Sequence, residues 1–257
     1  MDGQGFYITL PSNSSIDVYP ANKIWNYKTK LAKPIILNEP YEVGLIELQY
    51  PRNWHSFSMD DGWVSFTDHK DGRSVNYNLP TGHYDSITKI IKELNSIIAG
   101  DPITKRVTAM YNAIKNKIFF MGAEGMTVIF RGRLALILGF DPNESFEILQ
   151  NQGVQYAPHY ADLYGGRYEI YVYTNIVDYQ LVGDSYVPLL RRINIADETR
   201  RIPNVCYDKP HYTPLANAVL DDIEISLKTD QNQYVPFTFG KVNVKLHFRP
   251  VRHNVRI

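Results

Sequence analysis

The sequence predicts an all-β protein, an antiparallel sandwich or jelly roll carrying two short helices. Three observations predict it. Period-two alternation of apolar and polar residues recurs from end to end, turn residues separate the alternating runs, and no strand–helix–strand alternation calls for a parallel sheet. Composition agrees, because 19 tyrosines, 11 phenylalanines and 15 prolines suit short strands joined by turns. A chain of 257 residues can bury a full core without staples. No internal repeat and no low-complexity linker divides it, so a single domain over residues 1–257 is expected.

The run from Trp25 to Leu31 alternates, and Pro34 and Pro40 are expected to bracket the turn that follows it. Tyr41 to Tyr50 reads as a strand with Val43, Leu45 and Leu48 as its apolar positions and Pro51 as its stop. Trp63–Thr67 and Val75–Leu79 flank Asp71-Gly72, a good turn signal. Val107–Ile114 and Lys117–Met121 read as a hairpin over Lys115-Asn116, and Thr127–Phe130 as a further short strand.

Two helices interrupt the strands. From Asp85 to Ala99, the residues Ile87, Ile90, Ile91, Leu94, Ile97 and Ile98 recur at three- and four-residue spacing and form one apolar stripe. Asp85 or Ser86 is the expected N-cap, and Gly100 then Pro102 end the helix. A second helix spans Gly132 to Leu138, with Gly139 placed to terminate it. Between Asn143 and Tyr168 no period is visible. Tyr156, His159, Tyr160 and Tyr164, followed by Gly165-Gly166, make a long aromatic loop, and loops of that length in a compact domain tend to be functional or interfacial.

Strands return in the last third. Tyr168–Val177 and Leu181–Ile193 are near-continuous, with Val182-Gly183-Asp184 suggesting a bend or bulge. Asp222–Lys228 and Lys241–Phe248 alternate cleanly and are expected to form a hairpin across Asp230–Gln233.

Charge and cysteine content exclude some functions. Lysine plus arginine equal aspartate plus glutamate at 27 each, so the whole chain offers no basic excess for a polyanion. Net charge near zero does little to keep copies apart, which suits a protein that associates. The single Cys206 rules out an internal disulfide framework and is expected to be a small buried apolar residue. The opening Met1-Asp2-Gly3-Gln4 shows no basic or apolar leader segment, and the longest strongly apolar run, Leu134–Leu138, is far short of a membrane span.

The sequence carries no recognisable catalytic, cofactor or metal motif. The seven histidines, His55, His69, His83, His159, His211, His247 and His253, form no local metal pair. Neither a Walker loop nor a Gly-x-Gly-x-x-Gly segment occurs. Gly183-Asp184-Ser185-Tyr186-Val187 approaches a nucleophile elbow but lacks the second glycine and precedes a strand, so Ser185 reads as a turn residue. Asn13-Ser14-Ser15 and Asn143-Glu144-Ser145 fit the glycosylation triplet by chance. Arg191-Arg192 and Arg200-Arg201 read as solvated charges. The last nine residues, from Arg249 to Ile257, carry Arg249, Arg252 and Arg256 without an acid, a basic tail able to touch nucleic acid or an acidic neighbour.

Several segments together carry a family resemblance. Tyr171-Val172-Tyr173-Thr174-Asn175-Ile176-Val177, then Leu181-Val182-Gly183-Asp184 and Val187-Pro188-Leu189-Leu190-Arg191, resemble the minor capsid (penton) proteins of Polinton/Maverick elements and the related adintoviruses. The opening Phe6–Ser15, the run Lys30–Ile35 leading into Tyr41–Glu47, Leu138-Gly139-Phe140, Ile223-Glu224-Ile225, Val235-Pro236-Phe237, Gly240-Lys241-Val242 and Leu246-His247-Phe248-Arg249 are similar in the same order. Asn175 departs from the pattern, where an acidic residue is more usual.

The resemblance implies a single antiparallel β jelly roll with two short helical insertions. It implies homopentamers at icosahedral five-fold vertices, beside a double-jelly-roll major capsid protein. The implied location is the virion, with assembly inside the host cell. It brings no cofactor, no metal, no catalytic residue and no membrane. Tyr156, His159, Tyr160 and Tyr164 are the expected interface residues, and Arg249, Arg252 and Arg256 the expected tail contacts, including weak contact with packaged DNA. A carbohydrate- or receptor-binding jelly-roll module, with the aromatic loop as its site, is the alternative.

Overall fold

The computed structural model describes residues 4–57, 61–149, 154–195 and 203–251. Arg200, Arg201, Arg252, His253 and Arg256 therefore lie outside the described residues.

The chain opens with three strands: β1 (Phe6–Pro11), β2 (Asn26–Ile36) and β3 (Tyr41–Gln49). A mixed segment follows, with β4 (Trp63–Asp68), β5 (Ser74–Asn78), α1 (Ile87–Ile98), β6 (Thr108–Asn112), β7 (Lys117–Met121), β8 (Met126–Phe130), α2 (Gly132–Leu138) and β9 (Phe146–Ile148). Strands then return as β10 (Glu169–Thr174), β11 (Gln180–Val182), β12 (Ser185–Val187), β13 (Leu189–Asn194), β14 (Asn204–Cys206), β15 (Tyr212–Pro214), β16 (Val219–Lys228) and β17 (Asn243–Pro250). Backbone contacts divide the chain into two compact units, one of Met1–Trp54 with Tyr168–Ile257 and one of His55–Arg167. Each has its own hydrophobic core, a division that alternation along the chain does not reveal.

The first unit is a two-sheet sandwich. One sheet runs β1-β17-β3-β14 with β15 also on β3, and the other runs β13-β10-β16-β2. Its pairings are antiparallel. Let β14 and β15 count as one interrupted position along β3, and set the small β11–β12 hairpin aside. The strands in chain order then occupy positions 1-8-3-6 in one sheet and 2-7-4-5 in the other. Two interleaved Greek keys of this order are a jelly roll. The sequence of the second unit is inserted between the third and fourth positions.

Alternation along these strands places one face in the core. Val244, Leu246 and Phe248 of β17 are fully buried with Val43, Leu45 and Leu48 of β3 and with Ile223, Ile225 and Leu227 of β16 in the opposite sheet. Tyr27 of β2 is buried among them and donates its hydroxyl to the Leu10 carbonyl of β1 at 2.9 Å, a polar tie between the two sheets. Burial holds its phenol far above the ordinary tyrosine range, because the charged form has no water there.

Three sequence expectations are corrected here. β16 and β17 do not form a hairpin with each other; they sit in opposite sheets. The turn at Thr229–Gln233 closes only locally, with the Thr229 amide donating to the Gln233 carbonyl at 2.7 Å. The chain then crosses the sandwich through the buried Val235 and Phe237. Period two reports which face is buried, not which strand is the neighbour. Pro34 does not end β2, which continues to Ile36. β2 is an edge strand, and the register with β16 jumps from Lys30↔Asp222 to Ile35↔Leu220, so the proline falls where no ladder bond is needed. Cys206 is exposed rather than buried, at the end of β14.

In the second unit β5-β4-β8-β9 form one sheet and β6–β7 a separate hairpin. β9, in a stretch read as loop, pairs with β8 through Val128↔Phe146. The stripe of α1 is buried at Ile87, Ile90, Ile91, Leu94 and Ile98. Ser86 occupies the N-cap position without a side-chain cap bond. Asn95 fixes the helix to β6, with its amide oxygen accepting from the Ala109 N–H and its amide nitrogen donating to the Ala109 carbonyl, both at 2.8 Å. α2 spans Gly132–Leu138 as expected and ends at Gly139, which adopts φ 81°.

Candidate interaction surfaces

Among the described residues no group of three His, Cys, Asp or Glu side chains is placed to hold a metal ion. Ser185 lies on the exposed β12 and hydrogen-bonds its neighbour Asp184 at 3.0 Å. The side chains on which a function can be read are those of the surface.

The aromatic loop after β9 divides into anchors and exposed groups. Its backbone is tied within its own unit: the Ala157 amide donates to the Ile118 carbonyl at 2.7 Å, Ala161 to Asn116 at 2.8 Å, His159 to Gly139 at 3.0 Å and Asp162 to Ile137 at 2.8 Å. Ala157 and Ala161 are buried under these bonds, and the loop is therefore a fixed cover on β7 and α2. Tyr160 stands out at 69% exposure, and His159 is exposed. Tyr156 is half-buried, with its ring 5.3 Å from Phe119 and Lys115 Nζ 4.2 Å over it. Tyr164 is half-buried, and its backbone carbonyl accepts from Arg133. Of the four residues named from the sequence, Tyr156 and Tyr160 share one concavity, lined also by Ile114, Lys115 and Lys117.

Arg249 is not part of a free tail and Arg191 is packed on a ring, whereas Arg192 is solvent-exposed as expected. Arg249 lies within β17, its Nε 2.6 Å from Glu42 Oε1 and its guanidinium 3.4 Å over the Tyr212 ring. Arg191 stacks 3.4 Å over Tyr207, and Arg192 pairs with Glu169 at 3.1 Å.

Beside Arg249, the sheet built on β1, β17 and β3 carries a stacked ladder on one face. Tyr7 lies 4.6 Å from the His247 ring, and Tyr212 Oη shares a hydrogen bond with His247 Nδ1 at 2.7 Å. Tyr212 and His247 both register with Gly44 of β3. A Cβ at Gly44 would lie 3.2 Å from the Tyr212 ring and 2.9 Å from Pro210, so its absence lets that segment close over the strand. His247 has its pKa lowered, first by loss of water around the ring and then by the Arg249 charge.

One surface escaped the sequence reading. Val182-Gly183-Asp184 is the turn of a two-residue hairpin, not a bulge, with Gly183 at φ 62°. Among the described residues β11 and β12 pair only with each other, and on them Leu181 and Tyr186 face one another across the strands at 63% and 71% exposure. Tyr179 at the base is 67% exposed. The signal was present as two alternating tripeptides around Gly-Asp, but three residues per strand is too short for alternation to register.

No family model and no curated protein matches this chain. Solved structures do, among them the following two. The crystal structure of the mavirus penton protein superposes with a TM-score of 0.57 at 12% identity, covering 96% of this chain and 100% of that one. The cryo-EM structure of the Sputnik virophage superposes with a TM-score of 0.50 at 9% identity, covering 96% of this chain and 98% of the matched chain. The chain thus has the fold of the mavirus penton protein along nearly its whole length.

Proposed function

We propose that this chain is a structural capsid protein of the penton type, related to those of virophages and Polinton/Maverick elements. The observation that carries the reading is the full-length likeness in fold to the mavirus penton protein, which accounts for both units of the chain as one protomer. In this reading five copies form a ring at each five-fold vertex of an icosahedral shell, among double-jelly-roll major capsid proteins, and the protein resides in the virion. The exposed Tyr179, Leu181 and Tyr186 on the β11–β12 hairpin support it, since apolar groups clustered on an arm belong against a neighbour. Arg252 and Arg256 remain the residues through which the C-terminal end reaches packaged DNA; Arg249 is already engaged by Glu42 and Tyr212.

The carbohydrate-binding alternative draws less support. A sugar ring needs an open aromatic face, and Tyr156 already carries Lys115 on its ring beside Phe119. The deciding experiment is negative-stain imaging and light scattering of the purified protein, alone and with a double-jelly-roll major capsid partner. Five-membered rings in either sample support the capsid reading. A monomer in both samples, across a wide concentration range, would overturn it.

A further inference from the structure

The β6–β7 hairpin and the aromatic loop leave a small, cationic and partly apolar concavity. From Lys105 to Met121 the chain carries four basic residues and no acidic one. Arg106 is taken by Asp68 at 3.4 Å. Lys115 and Lys117 have no carboxylate partner among the described residues: Lys115 rests 4.2 Å over Tyr156, and Lys117 donates to the Pro158 carbonyl at 2.8 Å while lying 5.5 Å from the Tyr160 ring. Beside them Ile114, at the hairpin turn, is 99% exposed. The concavity these residues frame has a volume of about 390 Å³.

We propose that this concavity docks an acidic peptide segment of a partner protein, with Lys115 and Lys117 receiving two carboxylates and Ile114 and Tyr160 packing its aliphatic side chains. Charge complementarity selects the occupant. Two ammoniums on aromatic rings offer strong charge-assisted bonds to carboxylates, which would draw the lysines off the rings only slightly. A DNA backbone would ask for a longer row of cations than the two left unpaired here. An exposed isoleucine adds nothing to a glycan, but it is the kind of group that a peptide side chain covers. The assignment builds on the capsid reading, since a vertex protein must hold its neighbours. Its test is a peptide titration, whereas that reading is tested by oligomeric state, so either can fail alone.

The test uses the full chain and a fluorescein-labelled peptide of alternating glutamate and leucine, with a lysine–leucine peptide of the same length as control. Saturable binding of the acidic peptide alone is expected, weakened about tenfold or more by Lys115→Glu with Lys117→Glu. Ile114→Ser, at a site too exposed to disturb folding, should weaken it less than charge reversal does. Absence of binding, or binding unchanged by the double reversal, would overturn the proposal. So would stronger, reversal-sensitive binding of heparin or duplex DNA, because the site would then belong to a polyanion. An unchanged circular dichroism spectrum and Tm establish that the reversal variant is folded; if it is not, Lys117→Gln with Ile114→Ser gives the same reading.

Discussion

Phe6 and Phe248 lie face to face across the first and last strands of the sandwich, their ring centroids 4.8 Å apart and their planes within 1° of parallel. The two ends of the chain are thereby joined in one sheet, and β17 lies between β1 and β3. Truncation at Gly240 removes Val242, Val244, Leu246 and Phe248, all fully buried. At roughly 1.5–3 kcal/mol each, that loss is comparable with the stability of a whole domain. The truncated chain should be insoluble, whereas Phe248→Ala alone should cost about 3–5 kcal/mol in denaturant melts. A Gly240 truncation with a native circular dichroism spectrum would refute the role given to β17.

Asn175, just past the end of β10, ties two polar groups of β16. Its side-chain nitrogen donates to Asp222 Oδ1 at 3.2 Å and its oxygen accepts from the Glu224 amide at 2.8 Å. An acidic residue here could accept but not donate, and would place a second carboxylate beside Asp222. Asn175→Asp should therefore destabilise by about 1 kcal/mol at neutral pH, read as a lower midpoint in denaturant melts. Asp222→Asn in the same chain should restore the loss. A strictly additive double-mutant cycle would show that the two side chains do not interact.

Gly139 ends α2 at φ 81°, and a Cβ there would lie 2.5 Å from the His159 carbonyl oxygen. The backbone on both sides is fixed, so the clash has no flexible side chain to relieve it. Gly139→Ala should cost about 2 kcal/mol and loosen the loop as well as the helix. Hydrogen exchange should report this as faster exchange at the His159 and Asp162 amides; unchanged protection there would contradict the coupling.

His247 shares its surroundings with Tyr7, Tyr212, Lys245 and Arg249, and with the carboxylates Glu47 and Asp208 at the rim of the same pocket. Loss of hydration and the Arg249 charge lower its pKa below the usual 6.5. Well above pH 6.5 the ring is neutral in both folded and unfolded chains. As pH falls through 6.5 the unfolded chain takes up the proton first, so stability falls with it. Tm measured from pH 7.5 to 5 should drop less in His247→Gln than in the parent chain. Parallel curves would remove His247 from the pH response.

Leu181 and Tyr186 face each other on a hairpin that pairs with no other strand among the described residues. Leu181→Ser with Tyr186→Ser should leave Tm within a few degrees, because both side chains are mostly exposed. The same pair should abolish ring formation if the arm reaches a neighbouring copy. Rings of normal size and stability from this variant would clear the arm of any role in assembly.

The sequence by itself determined the faces and the punctuation of this protein. Val242, Val244, Leu246 and Phe248 could be read as one buried face because side chains in a strand alternate with period two. The end of the helix near Leu138 could be read from Gly139 because a glycine that terminates a helix has local geometry. The interface expectation was legible in part: Tyr156 and Tyr160 share a concavity, but Ile114, Lys115 and Lys117, which complete it, come from a hairpin some 40 residues earlier in the chain. Only the tertiary structure decided that β16 and β17 lie in opposite sheets, that the stretch of sequence from β4 to β9 makes a core of its own, and that Arg249 is held by Glu42 and Tyr212. Alternation fixes which way a side chain points; its partner is chosen by long-range pairing and core packing, which no local pattern encodes.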